Sequence, residues 1–287
     1  MVRYTVTIGR FTVTDFFDNN NYTHDPRTQF LAWGVMYNGA WDYPADTRGY
    51  TYGVLGDLTI DWWSVRAGIA LEPLYANLST MDWRLDKSRG LMFEYEARYH
   101  VAKLPGAVSV LAFVNQARMG SYEQVLDDPA KYGNDVAATR EDGRVKYGFA
   151  LSMEQQITKT LGAFLRLSAN DGQTESWAFT EIDRCLAFGA VQSGKPWKRP
   201  RDEAGAALVI SGLSPMHERY LAGGGLGFIL GDGALHYGAE TEGDFYYKLH
   251  LTDAISLSGI YQPIFNPGYN QDRGPIHVFS LRLHAAF

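Results

Sequence analysis

Glu94 and Glu96 are the first residues to weigh for chemistry. In an extended segment, residues two apart share a face and stand about 7 Å from each other. Two carboxylates near that separation serve glycosidases as acid and nucleophile or base. A hydrated wall of charged side chains is the stronger reading of the same pair, because no further group marks out either one. Gly223-Gly224-Gly225-Leu226-Gly227 has the look of a phosphate loop, but it precedes a strand pattern instead of opening a helix, so it fails the context that such a loop needs. His24, His217 and His284 are scattered without metal-ligand spacing, so no metal site is expected. Ser214 lacks the strand–turn–helix setting of a nucleophile.

More telling than any single motif is a set of charges at alternate positions. Arg66, Arg98, Lys146, Arg166, Lys248 and Arg282 mix with Glu72, Glu94, Glu96, Glu154 and Asp244. Both signs occur and neither dominates. Such a wall offers donors and acceptors to neutral polar solutes, without the bias of a strongly ion-selective pore. Trp41 and Trp177 add two large rings, for which girdle or core packing is the commoner role.

The elements that position these charges are strands. In residues 90–101, Leu91, Phe93, Tyr95, Ala97, Tyr99 and Val101 occupy one face, while Glu94, Glu96, Arg98 and His100 occupy the other. The same alternation runs through Val145–Glu154, Leu161–Asn170, Asp244–Leu251 and the end of the chain, where Phe279, Leu281, Leu283, Ala285 and Phe287 flank Ser280, Arg282 and His284. Residues 107–119 alternate ambiguously. A hairpin turns at Asp61-Trp62, another turn is read at Leu104-Pro105-Gly106, a strand over 174–188, a helical turn opening at Ser214-Pro215, and a hairpin around Gly231-Asp232-Gly233. The count is about fourteen strands, near the length a tilted strand needs to cross a bilayer. Residues 15–28 and 42–50 are turn-rich and are candidates for loops folding towards the lumen.

Composition agrees. Net charge is −6, which argues against a nucleic-acid partner. Aromatic residues make up 14%, as suits interfacial girdles. One cysteine, Cys185, excludes an intrachain disulfide. No stretch approaches the roughly 20 apolar residues of a membrane-spanning helix, and residue 1 opens no recognisable signal peptide.

Four strings carry a resemblance. They are FTVTDFFDNNNYTHDPRT (residues 11–28), NGAWDYPADTRGYTYG (38–53), LSPMHERYLAGGGLGFILGDG (213–233), and 266–287 with NPGYNQDRGP and a terminal RLHAAF. Through them the sequence resembles the carbohydrate-selective porin (OprB) family of outer-membrane proteins. The resemblance implies an all-β, antiparallel transmembrane barrel of about sixteen strands, passive diffusion of small sugars, no catalysis and no cofactor. It implies the bacterial outer membrane, contact with its lipid, assembly through the C-terminal strand ending in Phe287, and a pore acting as a monomer or within a homo-oligomer. It also implies strands ahead of Met1, so 1–287 is expected to be a single, N-terminally truncated barrel domain left open where those strands are missing. The pore-lining candidates are Arg66, Glu94, Glu96, Arg98, Lys146, Arg166, Lys248, Arg282, Trp41 and Trp177. A soluble β-sandwich or lectin-like module and an outer-membrane enzyme barrel are the alternatives.

Overall fold

The structure, a computed structural model, describes residues 2–177 and 181–286. Twelve strands form one sheet in chain order, every neighbouring pair antiparallel. They are β1 (Val2–Phe11), β2 (Thr51–Ile60), β3 (Trp63–Ala70), β4 (Arg89–Val101), β5 (Leu104–Met119) and β6 (Glu141–Gln156). Then come β7 (Leu161–Asn170), β8 (Arg184–Ser193), β9 (Glu203–Gly212), β10 (Glu240–His250), β11 (Ile255–Phe265) and β12 (Ile276–Ala285). Among the described residues four short α-helices, besides single 3-10 turns, decorate the loops: α1 (Trp33–Met36), α2 (Tyr122–Asp127), α3 (Pro129–Tyr132) and α4 (Pro215–Ala222). Among the described residues, no helix is long and apolar enough to cross a membrane.

Short turns gather at one end of the sheet and long loops at the other. The β4–β5 turn is Ala102 and Lys103, with φ of +50° and +67°, the left-handed pair that a two-residue hairpin uses. The turn therefore precedes Leu104-Pro105-Gly106, which belongs to β5. Ser214 caps α4 as expected, its hydroxyl accepting from His217 N.

The strands obey the predicted alternation. Phe93 is 51% exposed, Phe149 49% and Leu281 75%, all on the outer face. Glu94, Lys146 and Arg166, from the positions between, are buried on the inner face. A soluble sandwich would show the reverse, with the rings covered by a second sheet.

Three further readings are corrected. The strand count is twelve among the described residues, not about fourteen. Residues 226–235 form no hairpin, because the Glu181 carboxylate accepts from Phe228 N, Ile229 N and Leu230 N at 2.9, 2.6 and 3.0 Å and holds that chain as a loop. The strand read over 174–188 begins only at Arg184. The part of that reading on 178–180 lies outside the described residues, as does Phe287. No ladder joins β1 to β12 among the described residues, and both are edge strands.

Candidate functional site

The inner face of the sheet carries two kinds of surface. One is apolar, with Leu55, Met92, Leu111, Phe113 and Ala150 towards β2–β6, and Phe164, Ala187, Val209, Tyr246 and Ile260 towards β7–β11. A water-filled lumen has no use for such residues, and they are covered. The β1–β2 connection, residues 12–50, folds against them. Its Val13, Phe17, Trp41 and Tyr43 complete the first cluster, and its Phe30, Ala32 and Val35 the second. Phe30 sits edge-on to Phe164 and Tyr246 at 5.5 and 4.9 Å. Both candidate segments, 15–28 and 42–50, lie within this loop.

The other inner surface is charged, and it grips the loop. Arg166 donates to the Asp18 carboxylate, to Asp18 O at 3.2 Å and to Thr23 Oγ1 at 3.0 Å. Asp18 also accepts from Asn38 N and Nδ2, both at 2.6 Å. Lys146 Nζ donates to Asp42 Oδ2 and Glu175 O, each at 3.0 Å. Asp244 accepts from Leu31 N and Ala32 N, both at 2.7 Å. Arg282 Nη1 donates to Pro26 O at 2.6 Å. Each bond satisfies a buried group that would otherwise cost about 1–3 kcal/mol unpaired.

Near the short-turn end the charges bind one another. Arg66 lies opposite both Asp57 and Glu94 in the register. Its Nε donates to Asp57 Oδ2 at 2.7 Å, and its Nη1 to Glu94 Oε1 at 2.6 Å and Glu96 Oε2 at 2.9 Å. Glu94 Oε2 accepts from Asp18 N at 2.7 Å, joining this ladder to the loop. Arg98 pairs with Glu96 and donates to Ser64 Oγ at 2.9 Å. Beside the ladder lies a cavity of about 520 Å³, lined by Asn19, Asn21, Glu96, Arg98, His100 and Glu154 among others. Lys248 stands apart, paired with Glu203 at 3.0 Å.

The ten sequence-predicted residues thus separate. Arg66, Glu94, Glu96 and Arg98 come together, and Glu96 and Arg98 reach the cavity. Lys146, Arg166 and Arg282 hold the loop. Trp41 and Trp177 are 1% and 0% exposed, so neither ring face is open to a solute in this arrangement. Trp41 packs against Phe17 and Tyr43, and Trp177 against Ala117 and Met119. One guanidinium nitrogen, Arg66 Nη1, bridges Glu94 and Glu96, so both carboxylates are members of the same ion-pair ladder. Sequence reasoning missed Asp18 and Asn38 as partners. The sequence signal at Asp18 is its place ahead of Asn19-Asn20-Asn21; the structure gives it φ +60°, which Asp and Asn tolerate best after glycine.

Carboxyl groups past the strands respond to the same packing. Burial, then the neighbouring Asp42 carboxylate, hold the Glu72 carboxyl well above the usual carboxylate range. Burial likewise raises Asp183, but the His217 imidazole at 2.9 Å, the Lys146 ammonium and the Ser214 N–H together outweigh it and bring its carboxyl below its ordinary value.

The sequence profile of the carbohydrate-selective porin, OprB family, matches residues 2–287. The chain belongs to that family. It is an outer-membrane porin for carbohydrates, and the sandwich and enzyme-barrel alternatives are not favoured. Among solved structures, this OprB-family chain is similar to Pseudomonas putida OprB at high pH, with a TM-score of 0.77 and 19% identity, covering 99% of this chain and 70% of that one. It is also matched to Pseudomonas aeruginosa OccK11 (OpdR) at TM-score 0.44 and 10% identity, covering 99% and 78%. The first likeness establishes the barrel fold. Among curated proteins none matches the sequence.

Proposed function

We propose that small neutral sugars diffuse past the lumen-facing side of the 12–50 loop and through the polar cavity at the short-turn end. The observation that carries this reading is the cavity itself. Its volume of about 520 Å³ falls in the roughly 300–1,000 Å³ range of small-molecule sites. Arg98 and His100 offer donors, Glu96 and Glu154 acceptors, and Asn19 and Asn21 both. Sugar hydroxyls exchange water for these groups one at a time. Glu96 is already bonded to Arg66 and Arg98, and Glu154 to Asn21, so each contact with a sugar is weak. Weak, repeated contacts suit conduction, which requires leaving as well as binding.

In this reading Arg66 and Glu94 fix the ladder, while Lys146, Arg166 and Arg282 fix the loop that narrows the passage. The whole chain acts as one barrel domain whose outward rings meet lipid. Unpaired backbone in hydrocarbon costs several kcal/mol per group, so the β1 and β12 edges must be paired or covered when the barrel sits in lipid. The alternating apolar face of β12 is the support for its recognition during outer-membrane assembly.

Replacing Arg98 by alanine tests the cavity. The Arg98 side chain is 34% exposed, so losing its ion pair costs only about 0–1 kcal/mol and the barrel should fold. Liposome-swelling rates with glucose and single-channel conductance should both change. Wild-type values for both would remove the cavity from the sugar's path.

A further inference from the structure

A second cavity lies at the opposite, long-loop end of the same inner wall. Its volume is about 440 Å³. Its floor is aliphatic, with Ile182, Val209, Ile229 and Leu230, and Trp33 forms part of its wall. Trp33 is held in place by a ring stack on Tyr43 at 6.1 Å and 13°. Glu240 and Glu242 enter from one face of β10. Each is oriented by one bond: Glu240 Oε2 accepts from Gly268 N at 2.7 Å, and Glu242 Oε1 accepts from Gln262 Nε2 at 2.8 Å. The second oxygen of each makes no hydrogen bond to the described residues. The other charges at the rim are already engaged, Glu181 by three backbone N–H groups and Arg273 by Asp232.

An aromatic wall over an aliphatic floor fits the C–H face of a pyranose, and two oriented carboxylates accept from its hydroxyls. Where ionised, two carboxyl groups with no cation bonded to them also discriminate by charge. They attract a ring carrying an ammonium group and repel one carrying a carboxylate. We propose that this cavity is a sugar subsite at the long-loop mouth, favouring amino sugars over neutral sugars and neutral sugars over sugar acids. The proposal rests on the carbohydrate-diffusion reading but concerns residues remote from the short-turn cavity.

The test compares glucosamine, glucose and glucuronate, added on the long-loop side of single wild-type channels in a planar bilayer. Block of the current is expected in that order of strength. In E240Q/E242Q the carboxamide oxygens still accept hydrogen bonds, so glucose block should stay within about threefold. The glucosamine-over-glucose preference should fall roughly tenfold, about 1.4 kcal/mol. The single variant E242Q covers the case in which the double variant does not fold. Equal block by glucosamine and glucose in the wild type, or a preference unchanged in both variants, overturns the subsite. Should swelling assays show no sugar flux while Glu-dependent glucosamine block persists, the subsite stands and the diffusion reading falls. Absence of both block and flux removes the two together.

Discussion

Replacing Arg166 with alanine should release the loop that narrows the lumen, and the chain carries its own reporter of that event. Cys185, the single cysteine, is 3% exposed and lies on β8 beneath the segment that contains α1. The cover is close: a Cβ on Gly39 would sit 2.9 Å from Cys185 Sγ, and one on Gly34 3.0 Å from it. A thiol reagent reaches the sulfur only when the loop opens, so the labelling rate follows the opening equilibrium.

The magnitude comes from what Arg166 leaves behind. Both Arg166 and Asp18 are 1% exposed in their side chains. Removing one partner of such a pair costs about 3–5 kcal/mol, because the other charge stays buried. Asn38 still donates twice to Asp18, which places the loss at the lower end. About 3 kcal/mol corresponds to a roughly hundredfold faster reaction of Cys185 with a small maleimide in detergent-solubilised barrels. The double variant R166A/D18N, which leaves no buried charge, should recover a large part of the protection. Strand content by circular dichroism should be unchanged, since β7 keeps its ladders. Labelling of R166A within threefold of wild type would refute the view that this pair holds the loop.

Two further outcomes follow from groups at the loop end. Glu72 is favoured in its neutral form by folding, so its contribution is fully present below the ordinary carboxylate pKa and is lost as pH rises through the higher folded value; E72Q should therefore raise the unfolding temperature at pH 8 and leave it unchanged at pH 4, and an equal effect at both would sink the assignment. Ser214 both caps α4 and donates to Gly172 O at 2.6 Å, so S214A should cost about 1 kcal/mol and speed protease cleavage within 213–239 without altering sugar flux.

The facing of β4, β6, β7, β10 and β12 was legible because lipid and charge impose opposite chemistry on alternate residues. Strand β5 was not, for a physical reason. Its inward Leu111 and Phe113 are as apolar as its outward Val110 and Val114, because Phe17 and Trp41 cover them from within. The same cause hid the role of the charges. Alternation predicts that Arg166 points inward, but whether it meets water or Asp18 depends on a partner 148 residues away. The hairpin read over 226–235 failed because one buried carboxylate, Glu181, supplied what a β-ladder would have supplied.

That last substitution recurs across the lumen and explains how a long loop can hold one shape there. A loop inside a barrel has few backbone partners of its own, yet its buried N–H groups must be satisfied. Here wall carboxylates do it: Glu94 for Asp18 N, Asp244 for Leu31 N and Ala32 N. Buried cations then balance carboxylates on the loop, Arg166 with Asp18 and Lys146 with Asp42. Around the loop these cations are thereby consumed in pairs with carboxylates, which leaves Glu240 and Glu242 at the long-loop mouth as carboxyl groups without a cation bonded to them. Variants that free one of these anchoring charges, R166A or K146A, should therefore gain ion conductance, and single-channel currents at wild-type level in both would refute this account of how the charges are held.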